Sequence, residues 1–183
     1  MGKLILAIVG LPGSGKTEAT EYIKNKTGWP NVYFGQPTID EVHKRGQELT
    51  EENEKKARED LREQYGMAAM AILSLAKIKE VFQSSNVLLE SMYSWEEYLL
   101  LKKEFGNSFK VLAVYASFES RSKRMSSRAD RPLTKQQLLS RDAAQIENLH
   151  QAGPIAVADW TIVNEGSLEE LFGNLDKIVK ELS

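Results

Sequence analysis

The segment Gly10 to Thr17, GLPGSGKT, follows the apolar run Leu4 to Val9 and matches the pattern G-x-x-x-x-G-K-[ST] in full. A short strand that runs into a helical sequence is the context that this phosphate-binding loop requires. Its glycines allow a tight turn in which backbone N–H groups face a polyphosphate, and the following helix adds its positive N-terminal end. We therefore predict that the chain binds a nucleoside triphosphate at this loop.

The side chains of the loop predict a division of roles. Lys16 is expected to reach the β- and γ-phosphates, and the Thr17 hydroxyl to take one coordination position on Mg²⁺. The predicted cofactors are therefore Mg²⁺ and ATP or another nucleoside triphosphate. The predicted nucleotide-binding residues here are Gly10, Leu11, Pro12, Gly13, Ser14, Gly15, Lys16, Thr17 and Glu18. A glycine-rich turn without a ligand is the alternative, which the presence of both Lys and Thr disfavours.

Length and composition limit the class of protein. The 183 residues suggest one domain with a substantial core, and a net charge of −2 argues against a dedicated nucleic-acid or membrane-surface protein. The absence of cysteine excludes disulfides and zinc–thiolate sites and fits an intracellular protein. The run Leu4 to Val9 is too short to span a membrane, and no signal-peptide cleavage pattern follows it. We expect a cytoplasmic protein with small-molecule partners, no membrane contact and no extended nucleic-acid surface. The oligomeric state stays open.

Short apolar runs alternate along the chain with helical periodicities. The predicted strands cover residues 3–9, 31–34, 87–89, 109–116 and 160–163. Ser94 with Glu97, and Thr134 with Gln137, form capping boxes that predict helix starts. The charged region 38–65 predicts two exposed helices. Together these elements predict a three-layer α/β domain with a mostly parallel sheet, whose ligands bind beyond the carboxyl ends of the strands.

The segment 119–141 is rich in cations. A triphosphate that transfers its terminal group needs positive charge around it, and arginine supplies planar, paired donors. We predict phosphate contacts for the residues that flank a hinge at Pro132, namely Arg128, Arg131 and Arg141. Arg124 is also assigned to the nucleotide. Arg121 and Lys123 are instead interpreted as part of a solvated basic helix surface.

Five segments together resemble a known family. They are the phosphate loop, LREQYG at 61–66, ASFESRSKRMSSRADR at 116–131, the Arg-Asp pair at 141–142, and ADWTIVNEGSLEEL at 158–171. In this combination, over nearly the whole chain, they resemble the largely archaeal, uncharacterised P-loop family described as adenylate-kinase-related. The resemblance implies a nucleoside-monophosphate-kinase-like fold, with a parallel five-stranded sheet of order 2-3-1-4-5. It also implies one domain, 1–183, with an acceptor-binding insertion at 36–66 and a small lid at 126–140.

The same resemblance assigns roles to individual residues. The implied catalytic residues are Lys16, Arg128 and Arg141. The loop that contains Asn164 and Gly166 is expected to contact the donor base. Glu90 ends the third strand, where relatives keep a carboxylate that binds magnesium through water, although it could also be a water-exposed strand-end acid. The expected acceptor-binding residues are Gln36, Arg62 and Tyr93.

The acceptor region departs from the family pattern. Gln36 stands where the family has Asp, Ile39 stands where the region carries Arg, and Glu-Ser-Met-Tyr at 90–93 replaces Asp-Gly-x-Arg. Because two arginines that would hold an acceptor phosphate are missing, we expect weak binding of a nucleoside monophosphate. Tyr93 and Trp95 either line a pocket for a flatter or less charged acceptor or are core or surface aromatics.

The predicted function is an ATP- and Mg²⁺-dependent phosphotransferase that resembles nucleoside monophosphate kinases. It would transfer the γ-phosphoryl group to a small acceptor, a nucleotide being one candidate. The alternative is an ATP-binding regulatory module or slow ATPase that has lost its acceptor site. The missing acceptor arginines favour this alternative, whereas the complete set of lid arginines favours the kinase. No guanine-reading Asn-Lys-x-Asp sequence is present, which disfavours a GTPase switch.

Overall fold

In the computed structural model, which describes residues 2–182, each strand is followed by one or more helices. The strands of this part of the chain are β1 (Ile5–Val9), β2 (Asn31–Tyr33), β3 (Val87–Glu90), β4 (Phe109–Tyr115) and β5 (Trp160–Val163). They pair in parallel in the order β2-β3-β1-β4-β5, which confirms the predicted fold class. β1 lies at the centre, where Ile5 pairs with Val87 on one side and with Phe109 on the other.

Helices cover both faces of this sheet. Those within residues 2–182 are α1 (Lys16–Thr27), α2 (Gln36–Lys44), α3 (Glu51–Tyr65), α4 (Ala69–Phe82), α5 (Trp95–Phe105), α6 (Phe118–Ser126), α7 (Lys135–Glu147), α8 (Ala152–Ala156) and α9 (Leu168–Leu182). None of these helices has the length and apolar character needed to cross a membrane.

The central strand, β1, contributes side chains to two separate hydrophobic clusters. Ile5, Ala7 and Val9 pack with α3, α4 and α5, whereas the alternate residues Leu6 and Ile8 pack with α1 and α9. Side chains of a strand point alternately to the two faces of its sheet, so an entirely apolar strand such as β1 must be buried on both. The carboxyl end of β1 therefore delivers the phosphate loop from a rigid position.

Two capping boxes start helices that carry parts of the site. The Ser94 hydroxyl accepts from the N–H of Glu97 at 3.0 Å, and the Glu97 carboxylate accepts from the N–H of Ser94 at 2.9 Å. Thr134 and Gln137 form the same pair of bonds at the start of α7. Both predicted boxes are confirmed, and they fix where the chain re-enters a helix after β3 and within the segment predicted as the lid.

Helix α8 is the element that the sequence did not predict. Gly153 and Pro154 suggest a turn, yet both lie inside this short helix. A Cβ at Gly153 would lie 2.6 Å from Cε3 of Trp95, so the glycine lets α8 pack closely on α5. Trp95 is half-buried between these helices, and its ring stacks on that of Tyr98 with centroids 4.9 Å apart, which supports a packing role for this residue rather than an acceptor pocket.

The buried Glu97 makes the stability of this fold depend on pH. Burial raises the pKa of its carboxyl from 4.5 to about 7, although bonds from the N–H groups of Ser94 and Tyr93 and the charge of Arg62 oppose the shift. The folded protein therefore binds more protons than the unfolded chain between these values, and its stability falls as pH rises through this range. The contribution of Glu97 to this change in unfolding free energy amounts to about 3 kcal/mol.

We expect Glu97→Gln to remove this pH dependence, because glutamine keeps the shape without the charge. Urea denaturation at pH 5 and pH 7.5 should show a smaller loss of unfolding free energy in the variant than in the parent. Glu63→Gln, at an exposed position of α3, is the matched control and should lose as much unfolding free energy between these pH values as the parent does. If Glu97→Gln also loses as much as the parent, the carboxyl of Glu97 is already ionised at pH 5.

Candidate functional site

The phosphate loop is an open backbone cradle between β1 and α1. Gly13 and Gly15 have φ values of 79° and 102°, in the left-handed region that favours glycine. A Cβ at Gly13 would lie 2.9 Å from Cγ of Met125 and 3.0 Å from the carbonyl oxygen of Arg121. Glycine is thus required both for the turn and for the close approach of α6.

The cradle opens into a cavity of about 460 Å³. The predicted site residues that line it are Pro12, Gly13, Gly15, Lys16, Thr17, Glu18, Glu90, Tyr93, Arg124, Arg128, Arg141, Asn164 and Gly166. Residues as far apart in the sequence as Pro12 and Gly166 therefore contribute to one space, as expected where several parallel strands end at the same edge of a sheet. Of the remaining loop residues, Leu11 and Ser14 line a smaller apolar cavity on the other side of the loop.

The cavity is strongly positive around Lys16. Burial lowers the pKa of this amine to about 8, and the charges of Arg141 and Arg128 add to the shift, while Glu18 opposes it. Cations that repel one another in a partly buried space favour the binding of a polyanion, because its charge relieves the repulsion.

Arg121 does not lie on a solvated surface, so that prediction was wrong. Its guanidinium is buried and donates to both carboxylate oxygens of Asp142, at 2.9 and 2.7 Å. It also donates to the carbonyl oxygens of Pro12 and Ala116, each at 3.2 Å. One side chain thus joins the phosphate loop, the end of β4 and helix α7. Lys123, on the same helix, is exposed as predicted.

Arg124 and Asn164 fasten the loop after β5 to the phosphate loop. The Arg124 guanidinium donates to the carbonyl oxygen of Asn164 at 2.9 Å, and the amide of Asn164 donates to the carbonyl oxygen of Ser14 at 2.8 Å. The Asn164 side chain is therefore directed at the phosphate loop. Gly166 lies further along the same loop and lines the open part of the cavity.

Two of the three predicted lid arginines reach the cavity. Arg141 makes no hydrogen bond or ion pair within residues 2–182, and Arg128 contacts only Sδ of Met125, at 3.9 Å. Their guanidinium groups are thus available to a ligand. Arg131 is different: it is exposed, has a φ of 50°, and pairs with Glu51 of α3 at 3.2 Å. Arg131 does not line the cavity in this conformation, so its predicted phosphate contact stays a prediction.

The acceptor side contains Glu90 and Tyr93 but not the other two predicted residues. Glu90 accepts from the side chain of Asn31 at 2.7 Å and lines the cavity. The amide of Gln36 donates to Asp40 at 2.8 Å on an exposed surface of α2. Arg62 lies outside the cavity lining, where burial lowers its pKa and the charge of Glu97 opposes that shift. Neither Gln36 nor Arg62 is placed to contact an acceptor in this conformation.

The donor groups of the cavity fit magnesium bound with a polyphosphate. No group of three His, Asp or Glu side chains that could hold a metal alone occurs within the described range 2–182. The cavity nevertheless presents the Thr17 hydroxyl and the Glu90 carboxylate beside the phosphate cradle. Mg²⁺ usually takes one or two protein oxygens together with phosphate oxygens and water, so this sparse set suits it.

Gln151 and Asp142 support the site without any motif to mark them. The fully buried amide of Gln151 donates to the carbonyl oxygen of Gly10 at 3.1 Å, and Asp142 holds Arg121. Asp142 was noted only as part of the Arg-Asp pair, and nothing in the sequence around Gln151 indicates contact with a loop 141 residues away. Such partners become visible only when the helices are placed in space.

Sequence comparisons find relatives along the whole chain. A family model described as an AAA domain matches residues 6–148. A UPF0200 protein of Pyrococcus furiosus is 35% identical over 184 residues, covering 96% of both chains. A UPF0200 protein of Thermococcus kodakarensis is 32% identical over 183 residues, covering 98% of both. The chain spans 56% of the length of a UPF0200/UPF0201 protein of Archaeoglobus fulgidus, with 32% identity.

Solved structures with the same fold include kinases. A Thermus thermophilus protein, TT1252, aligns over 100% of both chains with a TM-score of 0.64 and 20% identity. A shikimate kinase from Bacteroides thetaiotaomicron aligns over 97% of this chain and 98% of its own, with a TM-score of 0.59 and 13% identity. A gluconokinase from Sinorhizobium meliloti covers 99% and 95%, with a TM-score of 0.57 and 15% identity. The fold is therefore that of P-loop kinase-like proteins.

Proposed function

Because the chain belongs to the uncharacterised UPF0200 family of P-loop proteins, and to the AAA-domain family, we propose that it is an ATP- and Mg²⁺-dependent phosphotransferase. The observation that carries the proposal is the convergence of Lys16, Arg128 and Arg141 on the cavity of the phosphate loop. Cations from three separate elements can stabilise negative charge as it moves during phosphoryl transfer, and nucleotide binding alone does not require so many. Similarity to a shikimate kinase and a gluconokinase supports the same reaction type.

The nucleotide would bind with its phosphates in the cradle. Backbone N–H groups of residues 10–17 and the N-terminal end of α1 would hold the β-phosphate, and Lys16 would bridge the β- and γ-phosphates. The donor base would lie against the loop after β5, where Asn164 and Gly166 line the cavity, and Arg124 would contact the nucleotide beside it. We treat 1–183 as one domain, with the acceptor region at 36–66 and the lid at 126–140.

The magnesium site would use the Thr17 hydroxyl directly and Glu90 through water. Bound Mg²⁺ supplies neutralisation of the charge on the β- and γ-phosphate oxygens. Glu90 suits an indirect role, because its Oε2 already accepts a hydrogen bond from Asn31 while the carboxylate still lines the cavity. Asn31 thereby fixes the direction in which the carboxylate faces.

The transfer itself would be an in-line displacement. An acceptor oxygen forms a bond to the γ-phosphorus as the bond from that phosphorus to the bridging oxygen breaks, and ADP leaves with the electron pair. Arg128 and Arg141 would stabilise the charge on the transferred group. Both are exposed in this conformation, so closure of the lid over the nucleotide would also exclude water.

The direct test is incubation of the full-length protein with γ-labelled ATP and Mg²⁺ and a panel of nucleosides, nucleoside monophosphates, sugars and sugar phosphates. Lys16-dependent transfer of label to any compound supports the phosphotransferase. Release of inorganic phosphate alone, with no labelled product, would overturn it and favour the slow ATPase or regulatory module.

The lid arginines give a second prediction. We expect Arg128→Met and Arg141→Met each to lower kcat about 100-fold while changing the Kd of ATP much less, because their charge is needed most in the transition state. Initial-rate assays would measure kcat, and calorimetry would measure the Kd of ATP. Arg131→Met, at the arginine that pairs with Glu51 outside the cavity, is the control and should keep the parental kcat. Equal losses in all three variants would contradict the assignment.

A further inference from the structure

The two sides of the cavity differ in charge. All the lysine and arginine side chains that line it come from α1, α6, the lid and α7: Lys16, Arg124, Arg128 and Arg141. The side formed by the end of β3 and the residues just after it contributes Glu90, Ser91 and Tyr93, a set we call the acceptor wall. This wall carries one carboxylate and two hydroxyls, and none of the described residues adds a cation to it.

The backbone of the acceptor wall is strained at one residue and anchored at another. Ser91 has a φ of 67°, a left-handed conformation that is unfavourable for serine, and the Tyr93 hydroxyl donates to its Oγ at 3.5 Å. The N–H of Tyr93 donates to the buried carboxylate of Glu97 at 2.8 Å, so the backbone here is anchored from behind. Strained residues that the surrounding structure holds in place concentrate at ligand sites.

Two arginines, Arg58 and Arg62, lie near this wall, but neither lines the cavity. Arg62 lies outside the cavity, and the fully buried carboxyl of Glu97 acts on it electrostatically. On the other side, Tyr33 is 41% exposed at the end of β2. Burial and the charges of Tyr93, Glu90 and Glu54 raise its pKa, and the charge of Arg58 opposes the shift, so a further phenol lies close to the wall. The surroundings are therefore rich in hydroxyls, and Arg58 and Arg62 lie near them outside the cavity lining.

We propose that the phosphoryl acceptor is a hydroxyl-bearing small molecule without a phosphate group, bound through its hydroxyls to Ser91 and Tyr93. The inference rests on the proposed function and narrows its substrate class. A phosphate on the acceptor would lie against the Ser91 and Tyr93 hydroxyls, where no lysine or arginine of residues 2–182 lines the cavity, and would lose hydration without a paired charge. Hydroxyl groups, in contrast, can donate to Glu90 and exchange hydrogen bonds with Ser91 and Tyr93.

The reaction balances with ATP as the only co-reactant. The acceptor hydroxyl oxygen bonds to the γ-phosphorus, the bond from that phosphorus to the oxygen of ADP breaks, and ADP keeps the electron pair. The hydroxyl proton passes to an oxygen of the transferred group, so the products are a monophosphate ester and ADP. The product carries the phosphate next to Lys16, Arg128 and Arg141, on the cationic side of the cavity.

The test uses pairs of compounds that differ only by one phosphate: adenosine and AMP, ribose and ribose 5-phosphate, glucose and glucose 6-phosphate, glycerol and glycerol 3-phosphate. Full-length protein, γ-labelled ATP and Mg²⁺ are used throughout. We expect at least one unphosphorylated member to be a substrate, with a kcat/KM at least about tenfold above that of its partner. Preference for the phosphorylated partner overturns this inference alone. Absence of Lys16-dependent transfer to every compound overturns the proposed function as well.

Variants of Tyr93 locate the acceptor on this wall. Tyr93→Arg adds a cation there and should shift the preference ratio at least about tenfold towards the phosphorylated partner. Tyr93→Phe removes only the hydroxyl and should raise the acceptor KM several-fold with an unchanged Kd for ATP. Tyr65→Phe, at the exposed end of α3, is the matched control. If Tyr93→Phe leaves the acceptor KM unchanged, or a folded Tyr93→Arg leaves the ratio unchanged, the acceptor does not bind this wall and the inference is wrong.

Discussion

The variant Lys16→Met is expected to melt at a higher temperature than the parent without nucleotide, and to show no stabilisation by MgATP. Burial and neighbouring arginines lower the pKa of Lys16 from 10.5 to about 8, so its charge destabilises the nucleotide-free fold at pH 7. Methionine keeps the aliphatic stem and removes the charge. The gain is at most about 3 kcal/mol, and each kcal/mol corresponds to about 2–4 °C in a chain of this size.

The ligand response should change in the opposite direction. ATP at 100 times its Kd would stabilise the parent by about 2.7 kcal/mol, whereas the variant lacks the amine that reaches the β- and γ-phosphates. Scanning fluorimetry with and without MgATP at pH 7 measures both effects. Lys123→Met, on the exposed side of α6, removes the same charge away from the cavity and should change neither value.

The pH dependence supplies an independent check. The lowered pKa means that the unfolded chain binds more protons than the folded protein between about pH 8 and 10.5, so parental stability rises through this range. The gain in unfolding free energy from Lys16→Met, relative to the parent, is thus complete below pH 8 and shrinks as pH rises to 10. A nucleotide-free variant that is less stable than the parent at pH 7 would show that the Lys16 charge is compensated.

Local patterns were sufficient for most of the fold. Five apolar runs gave the strands, and the hydrogen bonds of the Ser94 and Thr134 caps follow directly from residue types three positions apart. The order of the strands is not encoded locally, and it came from the family resemblance. Helix α8 was missed because its Gly-Pro sequence is typical of turns. The need for glycine at position 153 becomes clear only from its close packing against Trp95.

The site was predictable where one segment forms it and unpredictable where several meet. The phosphate loop is contiguous, so its residue types and spacing identify it. Arg121 was misinterpreted because its burial depends on Asp142, which lies 21 positions away on another helix. The ion pair of Arg131 could not be predicted for the same kind of reason, since its partner Glu51 belongs to α3. Charge alone does not tell a buried arginine from an exposed one.

The Arg121–Asp142 pair yields the prediction with the largest effect on stability. Asp142→Ala leaves the Arg121 guanidinium buried without its carboxylate, and breaking such a pair costs about 3–5 kcal/mol. Urea denaturation should show this loss. Turnover should fall as well. Asp142 directly follows Arg141 in α7, and the Arg141 side chain lines the cavity.

A double variant separates support of the fold from positioning of the site. Arg121→Met with Asp142→Leu removes both charges and fills their volume, and such replacements of buried ion pairs are often neutral or stabilising. We expect near-parental unfolding free energy but a kcat at least about tenfold lower, since Arg121 also donates to the carbonyl oxygens of Pro12 and Ala116. Glu147→Gln, exposed at the end of α7, is the control. Parental kcat in a stable double variant would show that the ion pair holds α6 and α7 together without placing Arg141, and that lid position depends on other contacts.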